Sequence, residues 1–580
     1  AVDQVEPRLR SRRDDPGLTM MSTRAWLETA VVAATTAVAA WSLHGEYDAE
    51  KHAMLLLLGA AIYSEYVGAD RDPTETRQGI TGGAPLGALA LPWLFVSRVG
   101  GPNFHLFAFW VSVSTNVALL PGLPRIVSGG AAVAAVSAGA RELNYVNVGH
   151  EPYPTEWTIA ATVAVHVLTA VSFARDALGW FPNVFTRWEA ALASTAVALC
   201  LGDVAMWTAH ASAGRLPDLH LTEDKWAHVT SWMPLHVAFG RYDDAQLAME
   251  TCALIACALT VAAPALAPEV RTRFSVATAA VFVAVSTWGA TVALRLGKAF
   301  RGYDGIAHWF VDYVTGAEDL ANLAAYWALV FGFAAFAIRG IARGGIKVTA
   351  LRKAYHLLAV VAFAPASLPG YAARRVLGHG LPHPEMLALA YAVALLVFAA
   401  AECARTSRAW TRGRWIDLFF SRFVDERDGG AVVISHTSLL VGVAAPLWLN
   451  HEKWSASADV DHSVGALAPL AGIVSLGLGD AAASVVGVYF GKTSLCAGSR
   501  KTVEGAVAGA MANVLGLLFA WRVVNHHRKT PWGTLLMAGV GTAALEATTK
   551  QLDNAFLPLH MAALLQLVSR NADLEDVQYA

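Results

Sequence analysis

Charge is the scarcest property of this 580-residue sequence: Asp, Glu, Lys and Arg make up 15% of it against 55% hydrophobic residues, which excludes an ordinary soluble domain. The charges present nearly cancel, at a formal −2, so no global basic field exists to hold nucleic acid. Cysteine is almost missing. Cys200, Cys252, Cys257, Cys403 and Cys496 are odd in number, lie mainly in apolar stretches and show no paired CxxC spacing, so neither a disulfide framework nor a zinc site is indicated. The opening residues, with Arg8, Arg10, Arg12 and Arg13, lack the apolar core of a secretory signal peptide, and the first span is expected to act as its own insertion signal. No internal repeat is visible.

Apolar runs are what the sequence has in plenty. A helix needs roughly 20 residues to cross hydrocarbon, and open strands cannot cross it at all. Runs of that kind read as helices over 24–43, 52–68, 83–98, 104–121, 124–141, 155–175, 187–210, 248–268, 274–295 and 320–339. They continue over 354–371, 386–404, 431–449, 464–490, 503–523, 533–549 and 555–568. The expected fold is an all-α polytopic integral membrane protein with about 15 to 17 transmembrane helices. The longer connections, 211–247 and 296–319, read as solvated loops; His210, His220, His228 and His236 fit no metal spacing.

Basic residues orient the chain. Arg339, Arg343, Lys347, Arg352 and Lys353 form one cluster, Arg405 to Arg427 a second, and Lys492, Arg500 and Lys501 a third. With the spans above, all three fall on one side, which the positive-inside rule makes cytosolic.

The strongest local pattern runs from Gly479 to Gly505. On a helix, Asp480, Ala483, Gly487 and Gly491 stand three, four and four residues apart, so they share a face nearly bare of side chains. Such a face admits a neighbouring helix, as in small-xxx-small packing, or a ligand close to the backbone. A carboxylate at membrane depth sits in a polar cavity, where Asp480 is either a satisfied structural group or a holder of a cation or proton. Downstream, Thr502 is a fitting N-cap, and the free N–H groups of the helix it opens stand beside Arg500 and Lys501. That combination suits phosphate, while the same basic pair also serves to anchor a span. The stretch Gly487 to Thr493 imitates a P-loop but has three residues between its glycines where four are needed, and no strand precedes it.

These residues resemble the nucleotide motif of the dolichol kinases, within the polyprenol kinase family, which reads D-x-x-A-x-x-x-G-x-x-x-G-x8-K-K-T-x-E-G. Asp480, Ala483, Gly487, Gly491, Lys501, Thr502, Glu504 and Gly505 occupy the family positions, and Arg500 stands where the first lysine is usual. Arg352, Lys353 and His356 resemble the RKxFHL segment. Asp425, Glu426, Arg427 and Asp428, followed by His436, resemble FxDERD and its next helix, and Glu546, Gln551, Asp553 and Asn554 the closing segment. The likeness covers about 350–560 in several ordered motifs.

The resemblance implies a CTP-dependent phosphorylation of dolichol at the cytosolic face of the endoplasmic reticulum membrane, supplying a lipid carrier for protein glycosylation, with a divalent cation, Mg2+ or Ca2+. Asp480, Lys501 and Glu504 are the expected catalytic residues, with Asp480 also a candidate metal ligand. Asp480, Ala483, Ser484, Gly487, Gly491, Lys492, Arg500, Lys501, Thr502 and Gly505 are expected around CTP. The corresponding organisation is a polar tail 1–22, a multi-span region 23–340 of unassigned role, a catalytic region 341–570 and a polar tail 571–580. Competing readings are a kinase of phytol, farnesol or another polyprenol, a related cytidylyltransferase, and a transporter.

Overall fold

The computed structural model describes residues 22–43, 47–67, 83–98, 103–146, 156–181, 183–212, scattered positions within 249–260, 306–341, 348–368, 383–406, 432–450, 463–496, 499–525 and 528–578. The spans expected at 274–295 and most of that at 248–268 lie outside these residues, as do Asp425, Glu426, Arg427 and Asp428.

Among the described residues the chain is helical, apart from an isolated bridge between Ser494 and Thr502. The first seven helices are α1 (Thr23–Ser42), α2 (Asp48–Val67), α3 (Ala84–Val96), α4 (Asn103–Leu119), α5 (Arg125–Val146), α6 (Glu156–Trp180) and α7 (Arg187–Ser212). Then come α8 (Ile306–Thr315), α9 (Glu318–Ile341), α10 (Val348–Phe363), α11 (Pro384–Thr406) and α12 (Ser435–Leu449). Next is a compound helix, made of 3₁₀ turns at Val464–Leu470, a π-segment at Ile473–Asp480 and α13 (Ala481–Phe490). The last three are α14 (Val503–Val524), α15 (Trp532–Thr548) and α16 (Asp553–Gln578). The 296–319 connection is not simply a loop, because α8 forms within it; its ten residues are too few to register as a membrane span.

Four described helices, Ile159–Gly179, Pro384–Thr406, Ile473–Phe490 and Val503–Val524, are long and apolar enough to cross a bilayer. Exposure along α14 shows where lipid belongs. Val503, Val507, Met511, Leu515 and Phe519 recur every fourth residue and are 39–66% exposed, whereas Gly505, Gly509, Asn513 and Leu517 on the opposite face are buried. An apolar stripe of that length costs little only in hydrocarbon. By contrast, α3 is buried on every side, as a helix apolar all round must be.

The two halves of the chain share one core. Helix α16 packs against α3, α12, α15 and the 3₁₀ turns, while α1 packs against α3, α15 and α16. Polar links inside the apolar core tie the same elements: Thr35 Oγ1 lies 3.0 Å from His560 Nε2, and Ser97 donates to Gln566 over 2.6 Å. Buried Glu402 is satisfied by Arg405 and by the Val433 N–H at 2.8 Å.

Candidate active site

The compound helix 464–490 changes phase where the chemistry begins. Pro469 sits in its 3₁₀ part, and the π-segment beyond it ends on Asp480, from which a regular α-helix continues. A π-segment has more residues per turn than an α-helix and so rotates the face of the helix beyond it, a distortion common at functional sites. The glycines of this segment are where neighbours come closest. A Cβ on Gly477 would strike Val360 of α10, and one on Gly479 would strike the Asn513 side chain of α14.

Asp480 is buried between these helices. The Lys353 ammonium of α10 donates to its Oδ2, and His356 Nδ1 stands 3.3 Å from the same oxygen. Lys353, His356 and Val360 fall at i, i+3 and i+7, so one face of α10 lies along the compound helix. His356 Nδ1 also lies 2.9 Å from the Leu476 carbonyl. Both neighbours accept, so Nδ1 carries the proton. Ser484 Oγ donates to Asp480 Oδ1 over 3.4 Å. Lys353 and His356, supporting residues by motif alone, are thus direct partners of the central carboxylate.

Beyond Asp480 the bare face meets α14. A Cβ on Gly505 would come within 2.7 Å of the Ala483 carbonyl, and Gly509 faces Ala483 in the same way. At Gly487 and Gly491 the neighbour is the Thr502 side chain. In this arrangement the small residues serve close packing of two helices, the first of the two uses open to such a face. The connecting loop is a tight hairpin: Val503 N donates to Thr493 O over 2.9 Å and Leu495 N to Lys501 O over 3.0 Å. Thr502 caps α14 by accepting from Gly505 N at 3.2 Å. Glu504 closes the hairpin, accepting from Thr493 N at 3.1 Å. Lys492 and Arg500 are exposed on the hairpin.

Lys501 turns inward, and its ammonium donates to the Glu546 carbonyl on α15. The buried Glu546 carboxylate lies beside Gly509, and Glu546 and Asp553 are both electrostatic neighbours of Asp480. Glu546 and Asp480 share this pocket with Lys353 and Lys501, so both lysines already have acidic neighbours before any phosphate arrives. Asp480 already has a lysine as partner, and among the described residues no three His, Cys, Asp or Glu side chains are grouped to hold a metal.

Other expected residues fall elsewhere. His436 begins α12 and stands beside Phe398, with ring centroids 6.4 Å apart. Gln551 belongs to the α15–α16 turn and Asn554 to the first turn of α16, where its carbonyl meets Gly442 of α12. The Arg352 side chain and residues 425–428 lie outside the described residues. Asn513 has no place among the residues expected from the motifs. It is buried and donates to Gly539 O over 3.2 Å, fixing α14 to α15 beside Gly479; a lone amide inside an apolar span is the signal that marks it.

Comparison with known proteins agrees with the motifs. Dolichol kinase EVAN of Arabidopsis thaliana is 37% identical over 265 residues, 45% of this chain and 42% of that protein. The human dolichol kinase is 28% identical over 269 residues, 44% of this chain and 47% of the relative. That of Schizosaccharomyces pombe is 33% identical over 218 residues, 37% and 38% of the two lengths. The chain spans less than half the length of each of these curated relatives. No protein-family model and no solved structure matches it. By sequence, a little under half of the chain is similar to the dolichol kinases.

Proposed function

We propose that this protein transfers the γ-phosphoryl group of CTP to dolichol at the cytosolic face of the endoplasmic reticulum membrane, supplying dolichyl phosphate for glycosylation. The observation that carries this reading is the order of groups along one helix seam. The Thr502-capped start of α14, with Lys501, lies at one end against Gly487 and Gly491, and the Asp480–Lys353–His356 cluster lies about two to three helical turns back along the same seam. Past Asp480, an apolar recess is lined by Tyr326, Val360, Ala364, Leu368, Phe519 and Val523. Nucleotide would meet the cationic end, and the isoprenoid tail would lie in the recess with its hydroxyl toward Asp480. A triphosphate cannot enter hydrocarbon and a polyprenol cannot leave it, so chemistry belongs at such a junction.

In the reaction the alcohol oxygen bonds to the γ-phosphorus as the bond to the β-phosphate bridging oxygen breaks, releasing CDP. Asp480 orients the hydroxyl and takes its proton, while Lys501, Arg500 and the first N–H groups of α14 hold phosphate oxygens. A divalent cation would enter as part of the nucleotide complex and balance charge that the two lysines leave uncompensated.

The test uses the purified full chain in lipid nanodiscs with γ-labelled CTP and dolichol. Asp480→Asn is expected to lower turnover by about 10²- to 10⁴-fold and Lys501→Ala by about 10²- to 10³-fold, with both proteins inserted. Near-normal turnover in either variant refutes the assignment. Farnesol and phytol in the same assay test the choice of alcohol.

A further inference from the structure

We infer that the N-terminal half supplies positioning residues for this site: Arg24, Thr186 and Glu189 clamp the α15–α16 turn from behind and thereby fix Lys501 in front of it. The nucleotide part of this inference rests on the function proposed above.

The turn runs from Glu546 to Asp553 and has two faces. On one, Lys501 is tied to the Glu546 carbonyl. On the other, hydrogen bonds arrive from residues more than 350 positions away. Arg24 of α1 donates from Nε to Thr548 O over 2.7 Å and from Nη2 to Thr549 O, satisfying carbonyls that the end of α15 leaves unpaired. A cation also suits the negative end of a helix.

Thr186 and Glu189 form a capping box at the start of α7. Glu189 N donates to Thr186 Oγ1 over 3.2 Å, and Thr186 N to Glu189 Oε2 over 2.9 Å. The remaining capacity of both side chains goes to the turn. Glu189 Oε1 accepts from Leu552 N at 3.0 Å, and the Thr186 hydroxyl donates to Gln551 Oε1 at 2.7 Å. Gly83, at the start of α3, has φ +90°, and a Cβ there would stand 2.5 Å from Gln551 Nε2. Thr186, Glu189, Thr549 and Gln551 are all at most 4% exposed, so water cannot replace these bonds.

Neighbouring residues of one turn therefore hold Lys501 and are held by three N-terminal helices. A shift of about 1 Å at a phosphate-binding group can cost about 10²-fold in rate, so slack in the clamp reaches the nucleotide. None of the hydrogen bonds above reaches a residue that lines the apolar recess.

The experiment compares the full chain with Arg24→Ala, Arg24→Lys and Glu189→Ala in nanodiscs, reading amide exchange across 546–553 and steady-state kinetics for each substrate. Arg24→Ala and Glu189→Ala are expected to exchange faster there and to lose about 10- to 100-fold in kcat/KM for CTP, with the KM for dolichol unchanged. Arg24→Lys, which keeps the charge but offers one donor nitrogen in place of two, is expected to restore both readouts in part. Unchanged CTP kinetics in a folded Arg24→Ala protein overturns the inference, as does a loss shared equally by both substrates in step with lost folded protein. If Glu189→Ala fails to fold, the Arg24 pair on its half-buried site decides. Should the unmodified chain not use CTP and dolichol, the proposed function falls, and the clamp is judged by amide exchange and by acylation of Lys501, which is expected to quicken in Arg24→Ala; an unchanged rate overturns it.

Discussion

Replacing Lys353 by Met tests the arrangement around Asp480 most directly. The ammonium donates to a carboxylate whose side chain is 6% exposed, and Lys353 itself is 12% exposed. Methionine keeps most of the volume and removes the charge, leaving Asp480 with His356 at 3.3 Å and Ser484 at 3.4 Å as its remaining partners. Stripping one partner from a buried ion pair costs about 3–5 kcal/mol, or roughly 10²- to 10⁴-fold in the folded-to-unfolded ratio. The second change, Asp480→Asn, removes the stranded charge, and its amide oxygen still accepts from His356. Lys353→Met/Asp480→Asn is therefore expected to regain most of the lost stability, a coupling of several kcal/mol in the double-mutant cycle. The assay is denaturant unfolding of purified protein in detergent, followed through its tryptophans, with CTP-dependent transfer measured on the same samples. Stability should recover in the double variant while turnover stays abolished. A Lys353→Met protein as stable as the unmodified chain, or a double variant less stable than either single one, refutes the pairing.

Two further changes probe the α13–α14 seam. Thr502→Ala removes the cap on Gly505 N and is expected to cost about 1 kcal/mol and to raise the KM for CTP, whereas Thr502→Ser should behave like the unmodified protein; equal loss in both variants would point to the methyl group instead. Gly505→Ala gains up to about 1 kcal/mol of helix propensity but places a Cβ 2.7 Å from the Ala483 carbonyl and 3.1 Å from Thr502 Oγ1. The overpacking penalty of about 1–3 kcal/mol should win, seen as a lowered unfolding midpoint in the same denaturation assay.

Much of the helical layout was legible in the sequence because the bilayer imposes a length: α1, α7, α14 and α15 begin and end within two residues of the apolar runs that announced them. Thr502 and the Asp480-to-Gly491 face were legible for local reasons, a cap and a helical period. The ten-residue α8 escaped because no bilayer constraint marks it, and the π-segment because it differs from an α-helix only in hydrogen-bond register. What sequence alone determined, then, is a membrane protein with a carboxylate, a bare helix face and a cationic helix start in one segment. Only the tertiary structure decided that Lys353 and His356 complete Asp480, that the glycines receive a helix, and that Arg24, Thr186 and Glu189 reach the turn carrying Glu546. The reason is distance along the chain: periodicity and capping act within about four residues, whereas the contacts of Lys353 and His356 with Asp480, and of Arg24, Thr186 and Glu189 with the turn, join positions 124 to 525 apart and exist only once helices pack.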